Sequence, residues 1–348
     1  IEGLLIGLAV LDAPARKLPE HGEDGLGPPL RDEITAALAY ERGHHPDQRL
    51  IVLHRALYIT EMRFTYVGLP IGALALARAG FTPVTVCVGH VDAPGMRRLR
   101  RTLPEGTLLL GRPDLRAPEV QRAILSRRPD ALLSFFWPKL IPGDLIEAHP
   151  RGAFGTHPSL LPRHRGPDPF FWTLLEGDRE TGVTLHRLER DYDTGAIIDV
   201  KRYAIPQDTN AWRLARALDR LALELLVSAA ERLSRGEPLE GSPQPKTGAT
   251  LAPAPGLWEL SIDWNEPAER VVNRVRAGAP YPGCVAQLGE NTVVVVRARV
   301  AQGPKGFEPA EAFIDEGAVK VRAADGFVEL LEVRDLDERH VDPASLFE

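Results

Sequence analysis

Two residues in the middle of this chain have the types that proton chemistry near neutral pH requires. His157 stands in "GAFGTHPSLLP", and Asp193 stands in "GVTLHRLERDYDTGAI", in a tight D-T-G turn. An imidazole changes charge near neutral pH, and a carboxylate within reach tunes it, so the two can take up and return a proton. For an isolated pair of this kind the commoner role is structural: a satisfied histidine and an aspartate that caps a turn. Other chemistries lack their residues. Gly68 and Gly72 do not have G-x-G-x-x-G spacing, and no acidic residue closes the following strand, so a nicotinamide-nucleotide site is poorly supported. The chain has no P-loop, no histidine pair at helical spacing for zinc and no G-x-S-x-G elbow.

The elements that must carry His157 and Asp193 alternate between strand and helix. "RFTYVG" reads as a buried strand, "PIGALALARAG" as a helix ending at Gly80, and "TPVTVCVG" as the next strand, the opening of a doubly wound, mostly parallel sheet. "APEVQRAILSRRPD" reads as a helix, and "ALLSFFW" and "GAFGTH" as strands. "DPFFWTLLEGD" is helical, and "TGVTLHRLE" and "AIIDVKRYAI" are strands flanking the D-T-G turn. His157 thereby falls at the carboxyl end of a central strand, where open α/β sheets place their ligands. Leu214, Leu218, Leu221 and Leu225 are spaced for an amphipathic helix that stops at Gly236.

Five prolines and three glycines in residues 237–257 predict a linker. Beyond it, "NTVVVVRARV", "GAVKVRA" and "GFVELLEVRDL" predict a smaller β-rich domain over residues 258–348. The catalytic unit is expected over residues 62–236. Residues 1–61, rich in Pro, Gly and charge, read as an N-terminal extension, with Met62 a candidate natural start.

At 348 residues the chain is long enough for two domains, and its 44% hydrophobic and 26% charged content suits a soluble globular protein. A formal net charge of −6 argues against binding DNA or RNA by bulk electrostatics. The two cysteines, Cys87 and Cys284, support neither a disulfide framework nor a metal cluster, and they suit a reducing cytoplasm. No apolar run approaches the roughly 20 residues that span a bilayer, so no membrane partner is expected, and "IEGLLIGLAVL", short and without a preceding basic flank, does not read as a signal peptide.

"HPSLLPRHRG…DPFFWTLLEGDRETGVTLHRLERDYDTGAII" resembles the catalytic core of the folate-dependent formyltransferases, the group that includes methionyl-tRNA, glycinamide ribonucleotide and nucleotide-linked amino-sugar formyltransferases. The S-L-L-P run, the R-x-R-G, the G-D-x-E-T-G-V-T and the D-T-G follow in the family's order and spacing. The resemblance extends over roughly residues 62–348, and "WELSIDWNEPAERVVNRVRAGAPYPGC" onward is similar to the family's C-terminal barrel-like domain. It implies a Rossmann-like α/β fold and, as cosubstrate, 10-formyltetrahydrofolate with no metal. In that chemistry a substrate amine attacks the formyl carbon, and the oxyanion formed collapses with departure of the folate nitrogen. By resemblance His157 hydrogen-bonds the oxyanion, and Asp193 tunes His157 and helps to move protons. The pteridine is expected against Phe135, Phe136, Trp137, Leu140 and Ile141 and the turn at Asp193 and Gly195, with Ser159, Leu160, Leu161 and Pro162 forming the wall toward the substrate.

The family carries asparagine two residues before the histidine; this chain has Gly155, and no asparagine precedes Asn210. Losing one preorganised oxyanion donor typically costs about 10²–10³ in rate, roughly 3–4 kcal/mol. Three outcomes follow: a replacement donor (Lys139, Thr156, His164 or a water), a slow but sufficient enzyme, or a folate-binding or regulatory homologue. The first is expected. For the acceptor, "RRLRR" at 97–101 is a local basic cluster that reads as a solvated helical face, on a loop without the lysine-rich length associated with tRNA binding. "GVTLHRL" and "RGPDPFFW" are closer to amino-sugar and small-amine formyltransferases. A small or nucleotide-linked primary amine is therefore expected, with initiator tRNA the alternative.

Overall fold

The computed structural model describes residues 62–347, which fold around two separate sheets. The expected extension over residues 1–61 lies outside the described residues. In the first sheet β1 (Phe64–Gly68), β2 (Thr85–Val88), β3 (Leu108–Gly111), β4 (Ala131–Phe135) and β5 (Ala153–His157) run parallel. β6 (Glu180–Arg187) and β7 (Ile197–Ala204) close one edge antiparallel. The order β3-β2-β1-β4-β5-β6-β7 reverses at β1 and β4, and the crevice beyond the carboxyl ends of such strands is where open α/β sheets bind ligands. β5, the strand that ends at His157, is next to β4.

Alternation along β5 decides which side chains share a face. All five residues are buried, between β4 and β6. Ala153 packs with Val67, Leu132, Ile141 and Leu145 on one face; Phe154 packs on the other, in the cluster that holds Leu214 and Leu218. Gly155 and His157 therefore share the face of Ala153, and Thr156 shares that of Phe154.

Helices cover both faces. α1 (Pro70–Arg78) has proline in its first turn and ends before Gly80, whose φ of +88° is a left-handed conformation that glycine adopts freely. α2 (Met96–Thr102) turns Met96 and Leu99 inward and leaves Arg97, Arg98, Arg100 and Arg101 exposed, so the basic cluster is a solvated face. α3 (Pro118–Leu125) and α4 (Gly143–Glu147) follow β3 and β4. α5 (Pro169–Leu175) is capped by Asp168, which accepts from Phe171 N at 3.2 Å. α6 (Ala211–Ser234) is capped by Asn210 and buries Leu214, Leu218, Leu225, Leu226 and Leu233. Leu221 stays half-buried, its place on the apolar stripe being taken by Ala222.

Residues 237–257 run over the first domain without forming a strand, touching it by isolated bridges at Ser242–Ile197 and Leu251–Arg165. The second sheet is antiparallel and wholly separate. Its strands β8 (Cys284–Leu288), β9 (Asn291–Ala301), β10 (Ala312–Asp315), β11 (Ala318–Arg322) and β12 (Phe327–Arg334) lie in the order β10-β11-β12-β9-β8, with β13 (His340–Val341) beside β12. α7 (Ala268–Gly278) packs Val271 and Val275 into this domain's core with Val295, Val319 and Val328. On its other side Arg270 reaches Leu175 O and Glu176 at 3.3 Å each, so α7 also abuts α5. No described helix is long and apolar enough to cross a membrane.

Candidate active site

After His157 the chain turns back at once, and β6 secures the turn. Thr184, opposite His157 in the β5–β6 register, donates its hydroxyl to Ser159 O at 2.7 Å and accepts from Leu161 N at 3.2 Å. Ser159 Oγ donates to Arg163 O at 2.6 Å. Ser159 and Leu161 are buried, and Leu160 and Pro162 are half-buried. The loop returns at His164 in a left-handed conformation, φ +59°, which brings its carbonyl 2.7 Å from His157 Nε2. A carbonyl only accepts, so the proton of neutral His157 resides on Nε2 and Nδ1 carries the lone pair.

Nδ1 faces Asp193 Oδ2 at 3.4 Å, the two side chains being 7% and 17% exposed. Asp193 adopts φ +54° at the D-T-G turn, and its Oδ2 accepts from Gly166 N at 2.9 Å. Gly166 has φ +123°, and a Cβ there would stand 2.8 Å from Ala252 O, so this close approach requires glycine. The two sequence-predicted residues, 36 positions apart in the chain, are thus joined by a strand end, a returning loop and a turn.

A third titratable group completes the cluster. His186 on β6 stands opposite Gly155, its Nε2 3.5 Å from Asp193 Oδ1 and its ring edge-on to His157 at 6.4 Å between centroids. Its Nδ1 donates to Arg187 O at 2.8 Å, which leaves a lone pair on Nε2. Burial pushes its pKa down to about 4, against the opposing pull of Asp193. Sequence reasoning passed over His186. Its signal was the period-two spacing of Thr184 and His186, which puts both on the face of His157 once β5 and β6 are paired.

The depressed His186 gives a pH prediction. Between its ordinary 6.5 and about 4, the unfolded chain binds a proton that the folded one refuses, so stability falls as pH drops through that window and is unaffected above it. His186→Gln is expected to flatten this acid slope, measured as urea midpoints between about pH 4 and 7. An unchanged slope contradicts the assignment.

A family model described as formyl transferase matches residues 92–230, and one described as formyl transferase, C-terminal domain, matches residues 259–348. The chain belongs to the formyl transferase family. Solved structures share the fold of these formyltransferase domains. HypX from Aquifex aeolicus, in complex with tetrahydrofolic acid, is 19% identical with a TM-score of 0.56; the match covers 83% of this chain and 47% of that one. The chain thus spans about half the length of HypX. An N-formyltransferase from Helicobacter canadensis, in complex with folinic acid and dTDP-3-aminofucose, is 16% identical over 77% of this chain and 98% of that one, TM-score 0.59. WlaRD, a sugar 3N-formyl transferase, is 15% identical over 78% and 97% of the two chains, TM-score 0.59.

Position 155, where the resemblance implies an asparagine, lies under Leu188 in this chain. A Cβ on Gly155 would lie 2.9 Å from Leu188 Cδ2 and 3.7 Å from His186 Nε2. Leu188 therefore lies over the glycine with the tip of its half-buried, flexible side chain. Of the side chains named as replacement donors, Thr156 and His164 are turned or held elsewhere. Thr156 projects from the opposite face of β5, and its buried Oγ1 has no partner. His164 Nε2 is held by Asp178 at 2.8 Å, a carboxylate that Arg163 also grips at 2.8 and 2.9 Å. Lys139 is exposed.

The segment expected against a pteridine leaves the sheet beside His157, since Phe135 pairs with Thr156 in the β4–β5 register. Phe135 is fully buried in the core, and Phe136, at φ +51°, stacks on it at 4.3 Å. Trp137 has a buried indole N–H with no partner. Leu140 is half-buried, Ile141 lies in the cluster of Leu145 and Ala153, and Gly195 is buried in the D-T-G turn. A cleft of about 920 Å³ is lined by Gly143, Ile146, Ala153, Leu188 and Arg190; Leu188 separates it from Gly155, and neither His157 nor Asp193 lines it. No group of three or more His, Cys, Asp or Glu side chains is arranged to hold a metal among the described residues. Cys87 and Cys284 are free, and burial pushes both thiols up to about 12.

Proposed function

We propose that this chain transfers a formyl group from 10-formyltetrahydrofolate to the primary amine of a small or nucleotide-linked substrate, amino-sugar type preferred. The observation that carries the reading is the His157–Asp193 pair at the carboxyl end of β5, in a chain of this family. His157 Nδ1 and Asp193 Oδ2 are both acceptors facing each other, so a proton between them satisfies both. The pair is therefore built to receive the proton shed by an attacking amine. With Nε2 bonded to His164 O and Nδ1 facing Asp193, the imidazolium so formed acts on the developing oxyanion through its charge rather than through a direct hydrogen bond. With glycine at 155, more of that stabilisation falls to His157 than in formyltransferases that keep the asparagine.

The folate fits the chain by one independent sign, the unpartnered buried N–H of Trp137 in the loop after β4, which a ligand acceptor would satisfy. When bound, the folate supplies the activated formyl carbon. Trp137, Ile141 and the turn at Asp193–Gly195 would hold it, and Ser159–Pro162 would separate it from the amine. The small-acceptor preference rests on the loop around α2, which lacks a long lysine-rich insertion; its four exposed arginines are the feature that would serve tRNA instead.

The test is the absorbance change of 10-formyltetrahydrofolate on adding amino sugars, nucleotide-linked amino sugars or charged initiator tRNA. Transfer to a sugar amine is expected; transfer confined to tRNA, with strongly salt-dependent binding, overturns the acceptor class. A second reading, a folate-binding homologue with impaired chemistry, rests on Leu188 packing over Gly155. Saturable folate binding without transfer to any amine would select it.

A further inference from the structure

Gln244 lies in the stretch between the two domains, half-buried among exposed neighbours from Gly241 to Ala249. Its side chain makes four hydrogen bonds. Nε2 donates to Asp193 O at 2.7 Å and to Gly195 O at 2.8 Å, while Oε1 accepts from Arg165 Nε at 3.0 Å and Nη2 at 2.6 Å. The nitrogen meets two acceptors and the oxygen two donors, so the amide has one orientation. A few residues on, Thr250 Oγ1 accepts from His164 N at 2.8 Å, and the backbone of Thr250 and Ala252 brackets Arg165 with bonds of 2.9 and 2.7 Å.

These contacts converge on both partners of His157. One partner, His164 O, belongs to the loop that Arg165 and Thr250 hold. The other, the Asp193 carboxylate, belongs to the turn whose two carbonyls Gln244 holds. Gln244 ties the two together from outside, beside the direct bond from Gly166 N to the Asp193 carboxylate. Resting on the formyl-transfer reading, we infer that Gln244 is a positioning residue for the His157–Asp193 pair, and that residues 244–252 are a strap over the catalytic loops. Without Gln244 the carbonyls of Asp193 and Gly195 lose their shared donor, and Arg165 loses its acceptor. The 3.4 Å approach of Nδ1 to Oδ2, already longer than a strong hydrogen bond, is then free to widen. Misplacement of about 1 Å in such a site can cost on the order of 10² in rate.

The experiment compares Gln244→Met, Arg165→Met and the double variant, with kcat expressed per tetrahydrofolate-binding site counted by titration and with thermal midpoints recorded. Each single variant is expected to lose at least about tenfold in kcat per site, and the double variant no more than the worse single, because both break the same tie. A kcat per site within about twofold of the unmodified chain, or losses that multiply, overturns the positioning role, since a purely structural residue would change only the number of sites. If the unmodified chain transfers nothing, the formyl-transfer reading fails separately. The tie is then read from the ring proton on His157 Nε2 by NMR. Slow exchange in the unmodified chain and its loss in Gln244→Met support the strap, whereas equal protection in both overturns it.

Discussion

His157→Ala is expected to reduce formyl transfer by about 10²–10⁴-fold, the usual worth of a positioned acid–base group, while folding is retained. The residue closes β5 with its ring between two loops, and its removal leaves the strand's packing in place: Phe154 still fills one face and Ala153 the other. What disappears is the lone pair opposite Asp193 and the charge that forms there. Asp193 would retain Gly166 N as a partner, so the turn has an anchor that does not depend on His157. The measurement is kcat with the preferred amine, beside a thermal midpoint. Unchanged turnover would remove His157 from the chemistry.

The second large effect concerns Gly155. Asparagine introduced alone is expected to act as a repair only as far as Leu188 turns aside, because its Cβ would meet Leu188 Cδ2, the tip of a half-buried side chain, at 2.9 Å. Turning that tip toward the adjoining cleft costs less than overpacking a closed core, which is typically about 1–3 kcal/mol. Combined with Leu188→Ala, which clears the volume, asparagine at 155 is expected to raise kcat, by up to about 10²-fold, the worth of one oxyanion donor. The comparison of the single and double variants is decisive. A rise in Gly155→Asn alone would mean that Leu188 yields easily. A fall in both would mean that the space beside Gly155 serves the reaction as it stands.

Much of the first domain was legible because its elements carry strong local signals. "PIGALALARAG" has proline at its start and glycine just past its end, and it became α1. The leucine spacing announced α6. The returning loop at His157 was legible as a motif, through its S-L-L-P and D-T-G segments. Elsewhere the signal was tertiary. β3 is only Leu108–Gly111, a strand too short to be told from loop without its partner β2. α7 was masked by its three arginines and one glutamate in eleven residues; its fully buried valines Val271 and Val275 mark only a narrow stripe. Leu188 over Gly155 and Gln244 over the D-T-G turn join residues 33 and 51 positions apart, and no local pattern encodes either. The prolines and glycines of residues 237–257 predicted a linker, yet part of that stretch serves as a strap, because irregular backbone can hydrogen-bond loops as readily as it can connect domains.

The most direct test is an experimental structure of the full chain bound to 5-formyltetrahydrofolate, a stable stand-in for the formyl donor. The expected result places the formyl group within about 3–4 Å of His157 and Asp193, with the pteridine against Trp137 and the turn at Asp193–Gly195. Folate seated instead in the cleft lined by Gly143, Ile146 and Arg190, away from His157, would contradict the assignment of the reaction centre.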